Sequence, residues 1–372
     1  MNKINSYSTG VVSALAVFLG LVVGAIVMLI SGYNPISGYV SLIQSAFGSS
    51  LNIGEVLRSM TPLILTAAGF LVAQSAGFFN IGLAGQVWVG WLVSTVFVTT
   101  HATDSMIWVI PVAVILGTIG GAITGAIPGW LRAQFGASEV ITTIMLNYIV
   151  LYIGNTVITS LPGKYMSASD TTANLSDATS LRWSLLSNLT GGSRLNTGFI
   201  IAIIVLALVW FIMKKTTLGF EIRAVGLNMD AARYAGMSDK RTAVLAMALS
   251  GALAGLAGVT EGLGTYLNIF VQSTAPSVGY DGMAVALLAS GSFIGIALSA
   301  LLFAVLTVGG LGMPLVSGVP TELVSVVTAT IIFFVGANYM IRWSLVKLDE
   351  GDAKDQAKAA AKKQAKAKKE DA

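Results

Sequence analysis

Long apolar runs separated by short polar stretches dominate the chain. The runs Val11–Ile30, Val56–Ala73, Ile81–Thr99, Ile107–Trp130, Val140–Leu161, Gly198–Met213, Ala243–Leu263, Phe293–Leu311 and Leu323–Met340 each approach the roughly 20 residues that a helix needs to cross a bilayer core. A shorter run, Gly282–Ser290, lies between two of them. No ten-residue alternation of apolar and polar positions recurs as a membrane barrel requires. The pattern predicts an all-α polytopic membrane protein with about ten transmembrane helices, within a range of about eight to ten. The short run is too brief to cross as a regular helix with a rise of about 1.5 Å per residue. It is expected as a broken span or as a re-entrant helix buried in protein. The first run is long for a signal peptide and no small-x-small site precedes Ser31–Asn34, so it is read as a span or signal anchor.

The polar stretches carry the charge, and their charge orients the chain. With the N-terminus inside, the connections Ser31–Asn52 and Pro162–Thr197 fall outside. Lys214–Arg241 and everything after Arg342 fall inside. The inside segments hold Lys3, Arg132, the Lys and Arg of 214–241 and those from Arg342 onward; the outside ones hold only Lys164, Arg182 and Arg194. This asymmetry is the one the positive-inside rule expects, with both termini cytoplasmic. Residues 1–346 are read as one transmembrane domain, with an inner loop at 214–241 and an outer loop at 162–197. The outer loop has two readings, a solvated connector or a cap over an external vestibule, and its Trp183 suits a membrane interface. Residues 347–372 form a Lys/Ala-rich tail without an apolar face, read as a mobile cytoplasmic segment whose lysines can meet anionic lipid.

Composition narrows the class further. Hydrophobic residues make up 55% of the 372 and charged residues 10%, against about 25% charged in a soluble domain. So few charges exclude an ordinary soluble enzyme, a disordered chain and a nucleic-acid-binding module. There are no cysteines and one histidine, His101, in a short polar stretch. No thiolate site exists, and a lone histidine does not make a metal site. No phosphate-binding Gly-Lys-Ser/Thr loop, His-Glu-x-x-His or Gly-x-Ser-x-Gly motif occurs. The chain is therefore read as a non-enzyme with no catalytic residue, no metal and no cofactor of its own.

Candidate chemistry lies in polar groups at membrane depth. Glu55, Glu139, Asp281 and Glu322 open apolar segments, where a carboxylate meets the positive end of a helix dipole. Glu55 and Arg58 are three residues apart and can pair. Glu261 differs, because it sits near the end of an apolar run where the dipole does not help it. Asn80, Gln86, Asn147 and Tyr148 lie in or at the edges of spans. They suit either a path for a neutral polar solute or helix–helix hydrogen bonds. The candidate pathway set is Asn80, Gln86, Glu139, Asn147, Tyr148, Glu261 and Asp281.

The inner loop is far longer than a tight helix connection, for which about 2–8 residues are usual. Asn228 reads as the N-cap of a short helix through Arg233 and Tyr234, and Gly236 as its stop. Gly226–Gly236 follows the pattern Gly-x-Asn-x-x-Ala-Ala-x-Tyr-Ala-Gly, which resembles the coupling loop of ABC importer permeases of the branched-chain amino acid, ribose and nucleoside group. Phe79-Asn-Ile-Gly-Leu-Ala-Gly-Gln86 is similar to the group's Phe-Asn-Ile-Gly-x-x-Gly-Gln stretch. Gly279-Tyr-Asp-Gly-Met-Ala-Val-Ala-Leu-Leu288 is similar to its Gly-x-x-Gly-Ile-Ala-Val-Ala-Leu-Leu run. Glu139-Val-Ile-Thr-Thr-Ile-Met-Leu-Asn-Tyr148 resembles the nucleoside-type members. The four runs stand in the group's order and span about 54–339.

The resemblance implies a permease in a bacterial plasma membrane, importing nucleosides by alternating access. It implies two cytoplasmic ABC ATPases as partners, with ATP and Mg on those chains. It also implies a second permease, most simply a related paralogue, and an external substrate-binding lipoprotein. Glu221, Arg223, Asn228, Ala231, Ala232, Arg233, Tyr234 and Gly236 would then be the ATPase-coupling residues. The same architecture importing ribose-type sugars or branched-chain amino acids is the first alternative. An ion-driven secondary transporter using Asp281 or Glu261, and a membrane scaffold recruiting proteins through the inner loop and tail, are the others.

Overall fold

A computed structural model describes residues 9–102 and 105–337. Lys3 and the Lys/Ala tail lie outside the described residues. The helices are α1 Thr9–Ile30, α2 Pro35–Phe47, α3 Ser50–Ser75, α4 Leu83–Thr100, α5 Met106–Phe135, α6 Glu139–Thr159, α7 Ser184–Leu189, α8 Gly198–Lys215, α9 Thr217–Leu227, α10 Met229–Tyr234, α11 Asp239–Thr260, α12 Val278–Ala289, α13 Phe293–Ser317 and α14 Thr321–Gly336. A small hairpin, β1 Met166–Ala168 and β2 Thr171–Thr172, pairs antiparallel between α6 and α7. Among the described residues, eight helices are long and apolar enough to cross a membrane: α1, α3, α4, α5, α6, α8, α11 with the turn that follows it, and α13. α12 and α14 are apolar but shorter. The apolar run that ends at Met340 is helical to Gly336, and its last three residues lie outside the described ones.

The chain divides into two units. One comprises Met1–Ile36 and Glu322–Ala372, the other Ser37–Thr321. In the first, Val12 and Ala16 of α1 are buried with Phe334 and Val335 of α14. In the second, α3, α4 and α11 are buried along most of their length, whereas α5, α6 and α8 are buried over only a minority of theirs. Helices that are apolar all round belong inside, and those with apolar exposed faces suit lipid.

The centre of the second unit is set by glycine. Gly117, Gly121 and Gly125 recur every four residues on one face of α5 and meet Gly251 and Gly255 of α11. A Cβ on Gly255 would lie 2.6 Å from the Gly117 carbonyl oxygen and 2.9 Å from the Gly121 Cα. Small residues in register let the two backbones touch, the usual device of membrane helix pairs.

The sequence expectation of a plain outer connection over Ser31–Asn52 misses α2. Asn34 accepts from the Ile36 amide at 2.9 Å and Pro35 takes the first helical position, so the helix starts there. Its small face packs on α13: the Leu42 backbone meets Gly309, and Ser41 Oγ and Ser317 Oγ are 2.9 Å apart. Ile36, Val40, Ile43 and Phe47 form an exposed apolar stripe.

The long loop between α6 and α8 is not a free connector. Amides of Thr172, Leu175 and Leu181 donate to the carbonyls of Ile269, Leu267 and Leu263 at 2.9, 2.7 and 2.9 Å, and the Val271 amide returns to the Asp170 carbonyl at 2.8 Å. Leu175, Leu181 and Leu195 are buried under it. The loop is thereby tied to the chain that follows α11.

Candidate functional site

Three places gather the polar residues. The first is the α9–α10 pair, at the end of α8 and α11 opposite the long loop. Thr216 caps α9 by accepting from the Gly219 amide at 3.3 Å, and Asn228 caps α10 by accepting from the Ala231 amide at 3.0 Å. Gly236 has φ +84°, and the Gly236 and Met237 amides return to the Arg233 and Ala232 carbonyls, so the helix stops where its sequence predicts. The pair is fastened at both ends. The Arg223 guanidinium donates to the Met213 carbonyl of α8, and Arg233 reaches the Asp239 carboxylate at the start of α11 at 2.5 Å. That carboxylate holds the Arg233 guanidinium above its ordinary pKa. Ile222, Val225 and Ala232 are buried; Leu227 and Tyr234 are 88% and 95% exposed. Glu221 is half-buried, and Ala231 and Asn228 are exposed. Anchored aliphatic residues and a bare apolar tip make a rigid knob rather than a slack loop.

The second place is the break between α3 and α4. Gly77, at φ +82°, ends α3. The chain then runs through Phe78–Gly82, of which Phe78, Asn80 and Gly82 are buried, and buried backbone groups there need partners. Asn80, fully buried, accepts from the Gly82 amide at 2.9 Å and donates to Ser250 Oγ at 2.9 Å and Gln86 Oε1 at 3.0 Å. Asn147 of α6 accepts from the Gly85 amide at 2.9 Å and donates to the Ile81 carbonyl at 3.0 Å. Asn80, Gln86 and Asn147 thus satisfy a broken backbone and one another. Asn147→Leu is expected to leave the Gly85 amide and the Ile81 carbonyl unpaired, at a cost of about 1–3 kcal/mol each. A thermal melt of the detergent-solubilised protein checks this by a lowered midpoint.

The third place is at the loop end of α11. The helix loosens there into a π-turn, Glu261–Tyr266, which closes with Leu267 at φ 61°. Such turns are frequent at functional sites. Glu261 and Tyr266 both line a cavity of about 470 Å³, with Trp91 of α4 and with Phe270, Gln272 and Ser277 from the segment before α12. The Trp91 and Tyr266 rings stack at 4.7 Å and 19°, and Phe270 meets Trp91 edge-on at 5.6 Å. Trp91 Nε1 is fixed on the Asn268 carbonyl at 2.8 Å. Nearby, Glu55 binds Arg58 Nε at 2.7 Å and Arg194 at 2.9 Å, joining the start of α3 to the long loop. Glu55, with smaller contributions from Tyr266 and Glu261, raises the Arg194 pKa.

The pathway candidates are therefore scattered. Glu261 lines the cavity. Asp281 opens α12 and sits half-buried, four residues beyond Ser277. Glu139 opens α6 and lies 3.5 Å from Arg132. Tyr148 is exposed on α6. Trp91, Tyr266, Phe270 and Gln272 are not among the sequence candidates. Their signal is faint: an aromatic pair four residues apart, Tyr266 and Phe270, just after a buried glutamate. His101 donates through Nδ1 to the Phe97 carbonyl, 2.9 Å away, and stacks on the Phe97 ring. Among the described residues no group of acidic or histidine side chains is placed to hold a metal.

The chain is similar to known transport proteins over most of its length. The family model described as branched-chain amino acid transport system / permease component matches residues 52–336. The nucleoside ABC transporter permease protein NupB of Lactococcus lactis subsp. cremoris (strain MG1363) is 50% identical over 339 residues, covering 90% of this chain and 93% of that protein. The guanosine ABC transporter permease protein NupP of Bacillus subtilis (strain 168) is 43% identical, covering 92% and 97%. The glucose ABC transporter permease protein TsgB13 of Haloferax volcanii is 31% identical, covering 88% and 87%. No solved structure matches the chain.

Proposed function

Since the chain belongs to the branched-chain amino acid transport system permease family, we propose that it is the membrane subunit of an ATP-binding-cassette importer that carries nucleosides into the cell. The observation that supports the substrate class is 50% identity with a nucleoside permease along 90% of the chain. The sugar alternative has its counterpart in the glucose permease, at 31%.

The geometry suits this work. The α9–α10 knob faces the cytoplasm and takes the push of a partner ATPase. The Arg223 contact passes that push to α8 and the Arg233–Asp239 bridge passes it to α11. α11 and its π-turn span 28 residues, a rod of about 40 Å packed on α3, α4 and α5. The far end of this rod carries Glu261 and Tyr266 into the cavity. A displacement at Tyr234 thus reaches the cavity through one continuous helix. ATP and Mg belong to two partner ATPases. A second, related permease and an external substrate-binding lipoprotein complete the importer, and substrate affinity rests mainly in the lipoprotein.

The test is initial uptake of labelled uridine, guanosine, ribose and leucine by cells with the gene deleted and restored. Loss and recovery of nucleoside uptake alone is the expected result. Loss confined to ribose or leucine would transfer the same architecture to that substrate.

A further inference from the structure

A buried carboxylate should have partners, and among the described residues Glu261 has none. The residue is only 8% exposed, yet no side-chain hydrogen bond or ion pair from it exists among the described residues. The cationic groups whose charge reaches it are Arg58 and Arg194, and both are hydrogen-bonded to Glu55 instead. The carboxylate lines the cavity rather than a packed core. The Tyr266 ring lies there too. One face of it is covered by Trp91, and the residue is 47% exposed. The π-turn's wider winding brings Glu261 and Tyr266, five residues apart, to the same cavity. The volume falls in the range of small-molecule sites, about 300–1,000 Å³.

A carboxylate offers two acceptor oxygens and no N–H, so it selects a ligand with donors. An aromatic platform takes any base, because every base has a π-face. The donors that all ribonucleosides share are the ribose hydroxyls, whereas base donors differ between purines and pyrimidines. We propose that this cavity is a nucleoside subsite of the transport path, in which Glu261 accepts from the ribose hydroxyls and the Trp91–Tyr266 stack carries the base. The assignment rests on the nucleoside reading above. It makes Glu261 the residue that discriminates ribose at the membrane stage, after release from the external binding protein.

The test compares initial uptake of uridine with that of its analogue lacking the 2′ and 3′ ribose hydroxyls, in cells holding the complete importer. Because the binding protein is the same throughout, a change in the ratio between wild type and variant reports this chain. The ratio is expected to fall about ten-fold in Glu261→Gln, since one acceptor oxygen becomes an NH2 donor and a site built to pair a substrate hydroxyl loses its discrimination when that pairing is lost. It is expected to persist in Glu261→Asp, which keeps the carboxylate. Tyr266→Leu is expected to lower uptake of both compounds about equally. An unchanged ratio in Glu261→Gln present at wild-type level in the membrane would overturn the assignment. If that variant fails to insert, undiminished uridine uptake in Tyr266→Leu overturns it instead. Wild-type cells that take up no uridine or guanosine would refute the nucleoside reading itself, a result distinct from either.

Discussion

Tyr234→Asp is expected to abolish uptake while leaving the permease folded in the membrane. Tyr234 is 95% exposed and Leu227 88%, so a charge at Tyr234 disturbs no internal packing. Large apolar side chains standing bare on a rigid helix pair are the kind that anchor an interface, where removing one costs about 2 kcal/mol or more. An aspartate there adds a buried charge if the partner still docks. Arg233→Ala is expected to act differently. It cuts the bridge to Asp239, which is 2.5 Å long, so the ATPases still bind but their movement reaches α11 poorly. ATP hydrolysis then persists while transport falls. Membrane amount, co-purification of the ATPases and uptake, measured together, separate the two. Normal uptake in both variants would remove α10 from the mechanism.

Gly255→Leu is expected to destabilise the protein more than any substitution on the α9–α10 surface. Gly255 lies between α4 and α5: a Cβ on Gly90 would come 2.6 Å from its Cα, and its own Cβ would come 2.6 Å from the Gly117 oxygen. The atoms crowding an added Cβ on Gly255 are all α5 backbone, so no rotamer change relieves them. Overpacking of this kind costs about 1–3 kcal/mol, and more where the surroundings cannot yield. That is a large part of a net stability of about 5–15 kcal/mol. A fall of the detergent melting midpoint well beyond that of Gly136→Leu, a position where an added Cβ meets nothing within 4 Å but φ is +67°, would confirm that close approach, not backbone conformation alone, is the cause. Equal shifts would point to the opposite.

How much of this is visible in the sequence depends on how local the cause is. The spans are legible because a bilayer demands long apolar runs and the chain must supply them in order. The α10 helix is legible because Asn228 and Gly236 act within a few residues of themselves. α2 is not, because Ile36, Val40, Ile43 and Phe47 make a narrow stripe whose gaps look like a polar connection. The amides are ambiguous for another reason. Asn80, Gln86 and Asn147 in apolar surroundings suit a solute path or a buried backbone equally well, and only the break after Gly77 decides where their hydrogen bonds go. Glu261 stands out in the sequence as a carboxylate without a helix dipole to help it. Its companions do not, because Trp91 and Tyr266 are far apart in the chain and meet only when α4 packs against the end of α11.

The most direct measurement is uptake of labelled uridine by cells carrying the complete importer, with ATP depleted in one arm and the proton gradient collapsed at constant ATP in the other. An ATP-driven nucleoside permease predicts that uptake stops in the first arm and continues in the second. Uptake that survives ATP depletion and stops when the gradient collapses would contradict it and identify an ion-driven secondary transporter.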